Sequence, residues 1–227
     1  MQRLAFTPSF AFNRVFDLRS VPILPWARLK AWIPRRINAW REHLPQIVPH
    51  IPLVCLDSGD TLMDEGTQRY VDEVVVAAEF IPGALDLLAG LHAAGYPLAL
   101  VVDGSVAGTR NFYQQVPGLW EAFAALAVSE QVGVDKPDPR MFRAALDAMN
   151  IPAEDYPRVV MFGNNLSRDI KGANALGLIS VWLSWSTRRT HTPADDSEVP
   201  AYHIALPLEL LDLLERIELG LPATSQT

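Results

Sequence analysis

Short apolar runs alternate with helical patterns from residue 51 onward. The runs predict buried strands, because consecutive apolar residues with β-branched valines must be covered on both faces. Five runs are predicted strands: residues 52–56, 98–102, 123–128, 159–162 and 179–183. Five segments are predicted helices: residues 84–94, 106–115, 139–149, 166–176 and a leucine-rich stretch within 206–219. Strands alternating with helices predict an α/β fold built on a doubly wound parallel sheet.

Residues 1–50 differ in charge from the rest of the chain. They hold eight Lys or Arg residues against two acidic residues, a net charge of +6, whereas the whole chain carries −7 and the remainder therefore −13. We predict a basic, Trp- and Pro-rich helical extension at 1–50, an α/β domain at 51–220 and a frayed tail at 221–227. No secondary structure is predicted for residues 64–80.

The extension has two interpretations. We favour a helical arm that packs on the acidic domain through its tryptophans, and we hypothesise that it brings Arg35, Arg36 or Arg41 over the crevice of that domain. The alternative is an amphipathic helix on a membrane surface. No nucleic-acid partner is expected, because the acidic body would repel phosphates.

Composition restricts the class of protein. Hydrophobic residues make up 49% of the chain, which is enough for a sizeable core. Cys55 is the single cysteine and lies in an apolar run, so we expect a buried side chain without disulfide or metal chemistry. The chain has no run of 18 apolar residues and no apolar signal sequence, so a cytoplasmic protein is expected.

Charged and polar residues follow the predicted strands. Asp57 and Asp103 each end a strand, Lys136 precedes a helix, and Asn164 follows another strand with Asp169 close behind. The carboxyl ends of parallel strands meet at one crevice, where open α/β sheets bind their ligands. Two carboxylates and an ammonium group there suit an anionic substrate with a divalent cation.

Four motifs in this order make the chain similar to the haloacid dehalogenase (HAD) superfamily, most of whose members are phosphatases. The motifs are Asp57-Ser58-Gly59-Asp60-Thr61-Leu62, the 98–102 strand with its Asp103-Gly104-Ser105 turn, Lys136-Pro137-Asp138-Pro139, and Gly163-Asn164-Asn165 with Asp169. The resemblance covers roughly residues 51–190 and implies a Rossmann-like α/β domain.

The resemblance also implies residue roles. Asp57 would be the nucleophile that forms an aspartyl-phosphate, Thr61 would stabilise its loop, and Lys136 would hold Asp57 and the phosphoryl oxygens. A Mg²⁺ ion would be bound by Asp57, the Gly59 carbonyl, Asn164 and Asp169. The substrate would meet the turn Asp103-Gly104-Ser105, through Ser105 or backbone amides near Gly104.

Three positions depart from the phosphatase pattern. Gly59 stands where phosphatases of the family have the aspartate that serves as general acid and base, which is a loss of roughly 10²–10⁴ in rate if nothing replaces it. Val102 replaces a phosphate-binding Ser or Thr, and Asn164 replaces an Asp. Asp60 is the nearest carboxylate to Gly59, but we favour a turn-forming role for it.

Three functions follow from this pattern. The first is a Mg²⁺-dependent phosphohydrolase, slow or restricted in substrate, acting on a small or bulky phosphorylated molecule. The second is a catalytically weak or silent binding or scaffold protein, and the third is a dehalogenase-like hydrolase.

Residues 62–81 are too few for a helical cap domain, so a capless body is expected. Trp185, Arg188 and Arg189 could line the rim of the crevice, but we favour a solvated loop.

Overall fold

The structure, a computed structural model, describes residues 50–221. Its strands are β1 (Val54–Leu56), β2 (Met63–Val71), β3 (Val74–Phe80), β4 (Leu98–Val102), β5 (Ala125–Val128), β6 (Val160–Gly163), β7 (Ile179–Leu183) and β8 (Tyr202–Ile204). Its helices are α1 (Ala84–Ala94), α2 (Val106–Gln114), α3 (Ser129–Val132), α4 (Pro139–Ala148), α5 (Lys171–Ala175) and α6 (Glu209–Glu218). A π-helical turn, Leu166–Ile170, precedes α5.

Six strands form a parallel sheet in the order β5-β4-β1-β6-β7-β8, with β1 near its centre. Alternate residues of each strand face opposite sides: Val54 and Leu56 belong to one apolar cluster, and Leu53 and Cys55 to the other. Helices α1, α2 and α6 cover the first side and α4 covers the second. This arrangement confirms the predicted α/β fold with a doubly wound sheet.

A β-hairpin made of β2 and β3 occupies the segment for which no element was predicted. Its turn residues Asp72 and Glu73 both have positive φ values, 47° and 65°, as a two-residue type I′ turn requires. The hairpin packs on α2, where the Phe80 and Phe112 rings lie 4.3 Å apart. Between β1 and α1 the chain therefore carries a small hairpin and no helical cap domain.

Other sequence predictions differ from the structure at element ends. Strand β8 was not predicted, and the helix predicted at 166–176 is a π-helical turn followed by the short helix α5. The basic helical extension, its membrane-surface alternative and its proposed place over the crevice fall on residues 1–49, outside the described residues. The tail at 222–227 lies outside them too, so the domain boundaries stay predictions. Among residues 50–221, none of the helices is long and apolar enough to cross a membrane.

Cys55 provides a simple test of the core. Its side chain is fully buried in β1, and burial raises the pKa of the thiol to about 12. Because thiol reagents react with the accessible thiolate, we expect no labelling of the native protein and one labelled site per chain after denaturation. Labelling followed against denaturant concentration checks this, and rapid modification of the folded protein would contradict the buried position.

Candidate active site

Asp57 lies immediately after β1 and is held by two side chains. Lys136 Nζ lies 2.6 Å from Asp57 Oδ1 and also donates to the Val101 carbonyl at 2.9 Å. Thr61 Oγ1 donates to Asp57 Oδ2 at 2.9 Å, which closes the loop 57–61 on its own carboxylate. Lys136 comes from the segment before α4, so two distant parts of the chain fix one carboxyl group.

Asp169 completes this ion-pair cluster. Its Oδ1 lies 2.7 Å from the same Lys136 Nζ, and both side chains are almost fully buried. Burial and the nearby charge of Asp57 raise the pKa of Asp169 to about 7, although Lys136 opposes the shift. Burial alone would lower the pKa of Lys136, but Asp169, Asp57 and Asp103 outweigh it and raise that pKa above its usual value. Lys136 is therefore charged throughout the neutral range.

Gly163, at the end of β6, lets the Asp169 carboxyl group approach the strand closely. A Cβ at Gly163 would collide with the Asp169 carboxyl group, so only glycine leaves room for it there. Asp169 Oδ2 accepts a hydrogen bond of 2.9 Å from the Asn165 backbone amide. The Asn164 backbone carbonyl accepts a hydrogen bond of 2.9 Å from Trp182 Nε1. The Asn164 side-chain Nδ2 is buried with no hydrogen-bond partner among residues 50–221.

The turn after β4 lies beside this cluster, but several of its polar groups already have hydrogen-bond or ion-pair partners within the protein. Asp103 accepts from the Lys136 backbone amide and forms an ion pair of 2.8 Å with Arg168. The Gly104 amide donates to Ser129 Oγ at 3.0 Å. Ser105 Oγ accepts from the Gly108 amide, which caps α2, so its own hydrogen stays available to a ligand.

Asp60 fixes the base of the hairpin through hydrogen bonds. It is fully buried, and its Oδ2 accepts from Ser186 Oγ at 3.0 Å. Its Oδ1 accepts from Arg188 Nη1 at 2.6 Å and from the Glu65 backbone amide at 3.1 Å. The structure thus gives Asp60 a structural role, as favoured from the sequence. Arg188 lies exposed in the loop after β7, as favoured from the sequence, but its guanidinium also pairs with this buried carboxylate, which was not expected.

Glu65, on β2, was not singled out from the sequence. Its carboxylate lies above Gly59 and pairs with Arg189, whose Nη2 is 2.6 Å from Glu65 Oε2. Burial raises the pKa of Glu65, with Arg189 opposing and the charges of Asp60 and Asp57 adding to the rise. Arg189 also lines the crevice, which supports the crevice-rim interpretation of this residue over the solvated loop.

These groups surround one cavity of about 680 Å³ at the carboxyl ends of the strands. Its floor holds Asp57, Lys136 and Asp169, and the hairpin forms one wall. Charged groups of both signs line it: the carboxylates of Asp57, Glu65, Glu73, Asp103 and Asp169, and the cationic groups of Lys136, Arg168 and Arg189. The predicted convergence of Asp57, Lys136 and Asp169 is therefore observed.

A family model identifies the class of protein to which this fold and site belong. The sequence model of the haloacid dehalogenase-like hydrolases matches residues 10–177. The chain belongs to the haloacid dehalogenase-like hydrolase family.

Several curated relatives are named as phosphatases. The chain is 29% identical over 136 residues to a glyceraldehyde 3-phosphate phosphatase of Methanopyrus kandleri, covering 60% of this chain and 57% of that protein. It is 35% identical over 107 residues to a phosphoserine phosphatase of Thermus thermophilus, covering 47% and 41%. The chain thus spans about half the length of the curated relatives it matches.

A solved structure of similar fold is a HAD-superfamily hydrolase from Ehrlichia chaffeensis. The TM-score is 0.58, the sequence identity 15%, and the match covers 75% of this chain and 99% of the other. At this identity the likeness concerns the fold alone.

Proposed function

We propose that this protein is a Mg²⁺-dependent phosphohydrolase that forms an aspartyl-phosphate at Asp57. The observation that carries the proposal is the Asp57 carboxylate on the cavity floor, fixed by Lys136 at 2.6 Å and Thr61 at 2.9 Å. A positioned carboxylate is the nucleophile of such a mechanism, and a fixed ammonium group stabilises the charge that develops on a transferring phosphoryl group. The phosphatase names of its relatives support the same reaction class.

The donor atoms near Asp57 suit Mg²⁺. Asp57 and Asp169 supply carboxylate oxygens, and the Asn164 amide and Gly59 carbonyl would supply neutral ones. Among residues 50–221 no group of three or more His, Cys, Asp or Glu side chains is arranged for a metal. An oxygen-only set with few carboxylates fits Mg²⁺, which keeps several waters. The buried Asn164 Nδ2, unpartnered among residues 50–221, is a hydrogen-bond donor, so a bound water or a phosphoryl oxygen would satisfy it, whereas only Oδ1 of this amide would face the metal.

Bound Mg²⁺ would offset negative charge on the phosphoryl group. The residues themselves have separate tasks: Asp57 attacks, Lys136 orients Asp57, and Ser105 and Arg168 face the substrate from the turn after β4 and the π-helical turn. Arg168 is held by Asp103, which explains why a carboxylate can stand at this place without repelling the substrate. The cavity volume of about 680 Å³ lies within the usual range for small ligands, so the substrate is a small phosphorylated molecule.

Metal dependence is tested with a panel of small phosphate esters, monitored by phosphate release. We expect turnover with Mg²⁺, loss of turnover with a chelator and its return on adding Mg²⁺. We also expect Asp169→Asn to weaken Mg²⁺ binding by at least about 10-fold, the loss typical even of an outer-shell partner. Calorimetric titration measures that binding separately from activity.

Two outcomes would contradict the proposal. Undiminished turnover in the presence of the chelator would exclude Mg²⁺ dependence. Absence of phosphate release across the panel, together with retained binding of a phosphate ester, would favour the scaffold function.

A further inference from the structure

We propose that Glu65, on the hairpin, is the general acid and base of this site and takes the place of the aspartate that Gly59 cannot supply. The inference rests on the proposed phosphohydrolase function and assigns a further catalytic residue to it. It is carried by the position of the Glu65 carboxylate over the first motif.

The Glu65 carboxylate fills the space that a side chain at position 59 would enter. A Cβ built on Gly59 would lie 2.9 Å from Glu65 Cδ, and closer still to Oε1. Gly59 is not among the glycines with positive φ, so its backbone does not require glycine. A larger residue at this position would therefore displace the Glu65 carboxylate, which is the end of a flexible side chain. The Glu65 carboxylate therefore lies next to the space that an aspartate side chain at position 59 would occupy.

The Glu65 side chain is positioned from both ends. Its backbone amide donates to Asp60 Oδ1 at 3.1 Å, and its Oε2 pairs with Arg189 at 2.6 Å. Arg189 leaves Oε1 as the oxygen that lies above Gly59. The side chain lines the same cavity as Asp57 and is about one third exposed, which lets it reach both a bound substrate and water.

The other nearby carboxylates have different partners. Both oxygens of Asp60 accept hydrogen bonds, and the residue is fully buried beneath Glu65. Asp103 binds Arg168 and the Lys136 backbone amide. Asp169 pairs with Lys136 at 2.7 Å. Glu73 also lines the cavity, but at the exposed turn of the hairpin, so Glu65 is the lining carboxylate that lies over the first motif without being part of the cluster beneath it.

The reaction balances with one proton cycling through Glu65. In the first step an Asp57 oxygen bonds to phosphorus, the bond from phosphorus to the leaving oxygen breaks, and protonated Glu65 gives its proton to that oxygen. In the second step Glu65 takes a proton from water, the water oxygen bonds to phosphorus, and the Asp57–phosphorus linkage breaks. Alcohol and phosphate leave, and Asp57 and protonated Glu65 are regenerated.

The test compares Glu65→Gln with the wild type on substituted phenyl phosphates. For phenyl phosphate, whose leaving group needs a proton, we expect a loss of about 10²–10⁴-fold. For dinitrophenyl phosphate, whose leaving group needs none, the first step is nearly unchanged, so the variant gives a burst of dinitrophenol equal to the enzyme present. The phosphorylated enzyme then accumulates and is detected by intact mass measurement. Glu79→Gln, an exposed site on the same hairpin, is the matched control, for which wild-type rates are expected.

Relocating the carboxylate provides an independent check. Gly59→Asp alone is expected to lose activity, because its side chain would displace the Glu65 carboxylate from its place above the first motif. The double variant Gly59→Asp/Glu65→Ala removes the displaced carboxylate and should recover at least about 10-fold on phenyl phosphate over Glu65→Ala. A merely structural role for Glu65 would not give this recovery.

The outcomes separate this inference from the proposed function. If Glu65→Gln shows the same dependence on the leaving group as the wild type and no burst, while Asp57→Asn is inactive, the role of Glu65 is overturned and the phosphohydrolase stands. If the wild type itself releases no phosphate from any ester, both are overturned.

Discussion

Replacing Asp57 with asparagine is expected to lower phosphate release by at least about 10⁴-fold, in the range measured for loss of a catalytic nucleophile. The amide has nearly the same shape as the carboxylate and can still meet Thr61 and Lys136, but it carries no charge and is a poor nucleophile. The measurement is turnover at saturating Mg²⁺, together with a search for the phosphorylated enzyme by mass measurement, which should find it only in the wild type.

Asp147→Asn is the matched control for this experiment. Asp147 lies on the exposed face of α4, away from the cavity, so its loss should leave turnover unchanged. Equal activity of the wild type and Asp57→Asn would remove Asp57 as the nucleophile. A phosphoryl group retained by the variant would point to another residue.

Replacing Lys136 with methionine is expected to lower the free energy of unfolding by about 3–5 kcal/mol and to abolish turnover. Lys136 is 4% exposed and pairs with Asp57 and Asp169, so its loss leaves two buried carboxylates without a countercharge. Methionine keeps the length of the side chain, which separates the loss of charge from a packing defect. Urea unfolding gives the free energy.

Adding Asp169→Asn to Lys136→Met should recover part of that loss, because one of the two uncompensated charges disappears. Lys171→Met is the control, since Lys171 is partly exposed and its contact with Asp195 is 4.0 Å long. Its effect should stay within about 0.5 kcal/mol. A Lys136→Met protein as stable as the wild type would show that this cluster does not need its cation.

The sheet and the floor of the site were predictable because both depend on simple periodicities. Apolar runs marked five of the six strands of the parallel sheet, and strand ends brought Asp57, Asp103 and Asn164 to one edge. Lys136 and Asp169 could then be assigned by motif order. The missed strand β8 has three residues and lies at the edge, so its apolar signal is weak.

The wall of the site was not predictable for two physical reasons. The hairpin turns at Asp72-Glu73, and glutamate seldom adopts the positive φ that the second position of this turn needs and glycine usually supplies, so no turn signal marked it. The pairing of Glu65 with Arg189 joins residues 124 positions apart, and nothing in local sequence encodes such a contact. The glycine at position 59 was evident from the sequence, but its contact with the Glu65 carboxylate depends on the fold.

Arg188 binds the loop and the hairpin together. It contacts Asp60 in the loop at 2.6 Å and Asp64 at the start of β2 at 2.8 Å, so the base of the hairpin is fixed to the floor of the cavity. The strand register shifts between Asp64 and Arg69, and beyond that irregularity the distal half is tied to α2 by a hydrogen bond of 3.1 Å from Asn111 Nδ2 to the Val75 carbonyl, which leaves the turn at Asp72-Glu73 as the exposed tip. We therefore expect the turn at Asp72-Glu73 to determine the range of accepted substrates. The geometry around Asp57 should stay the same for all of them.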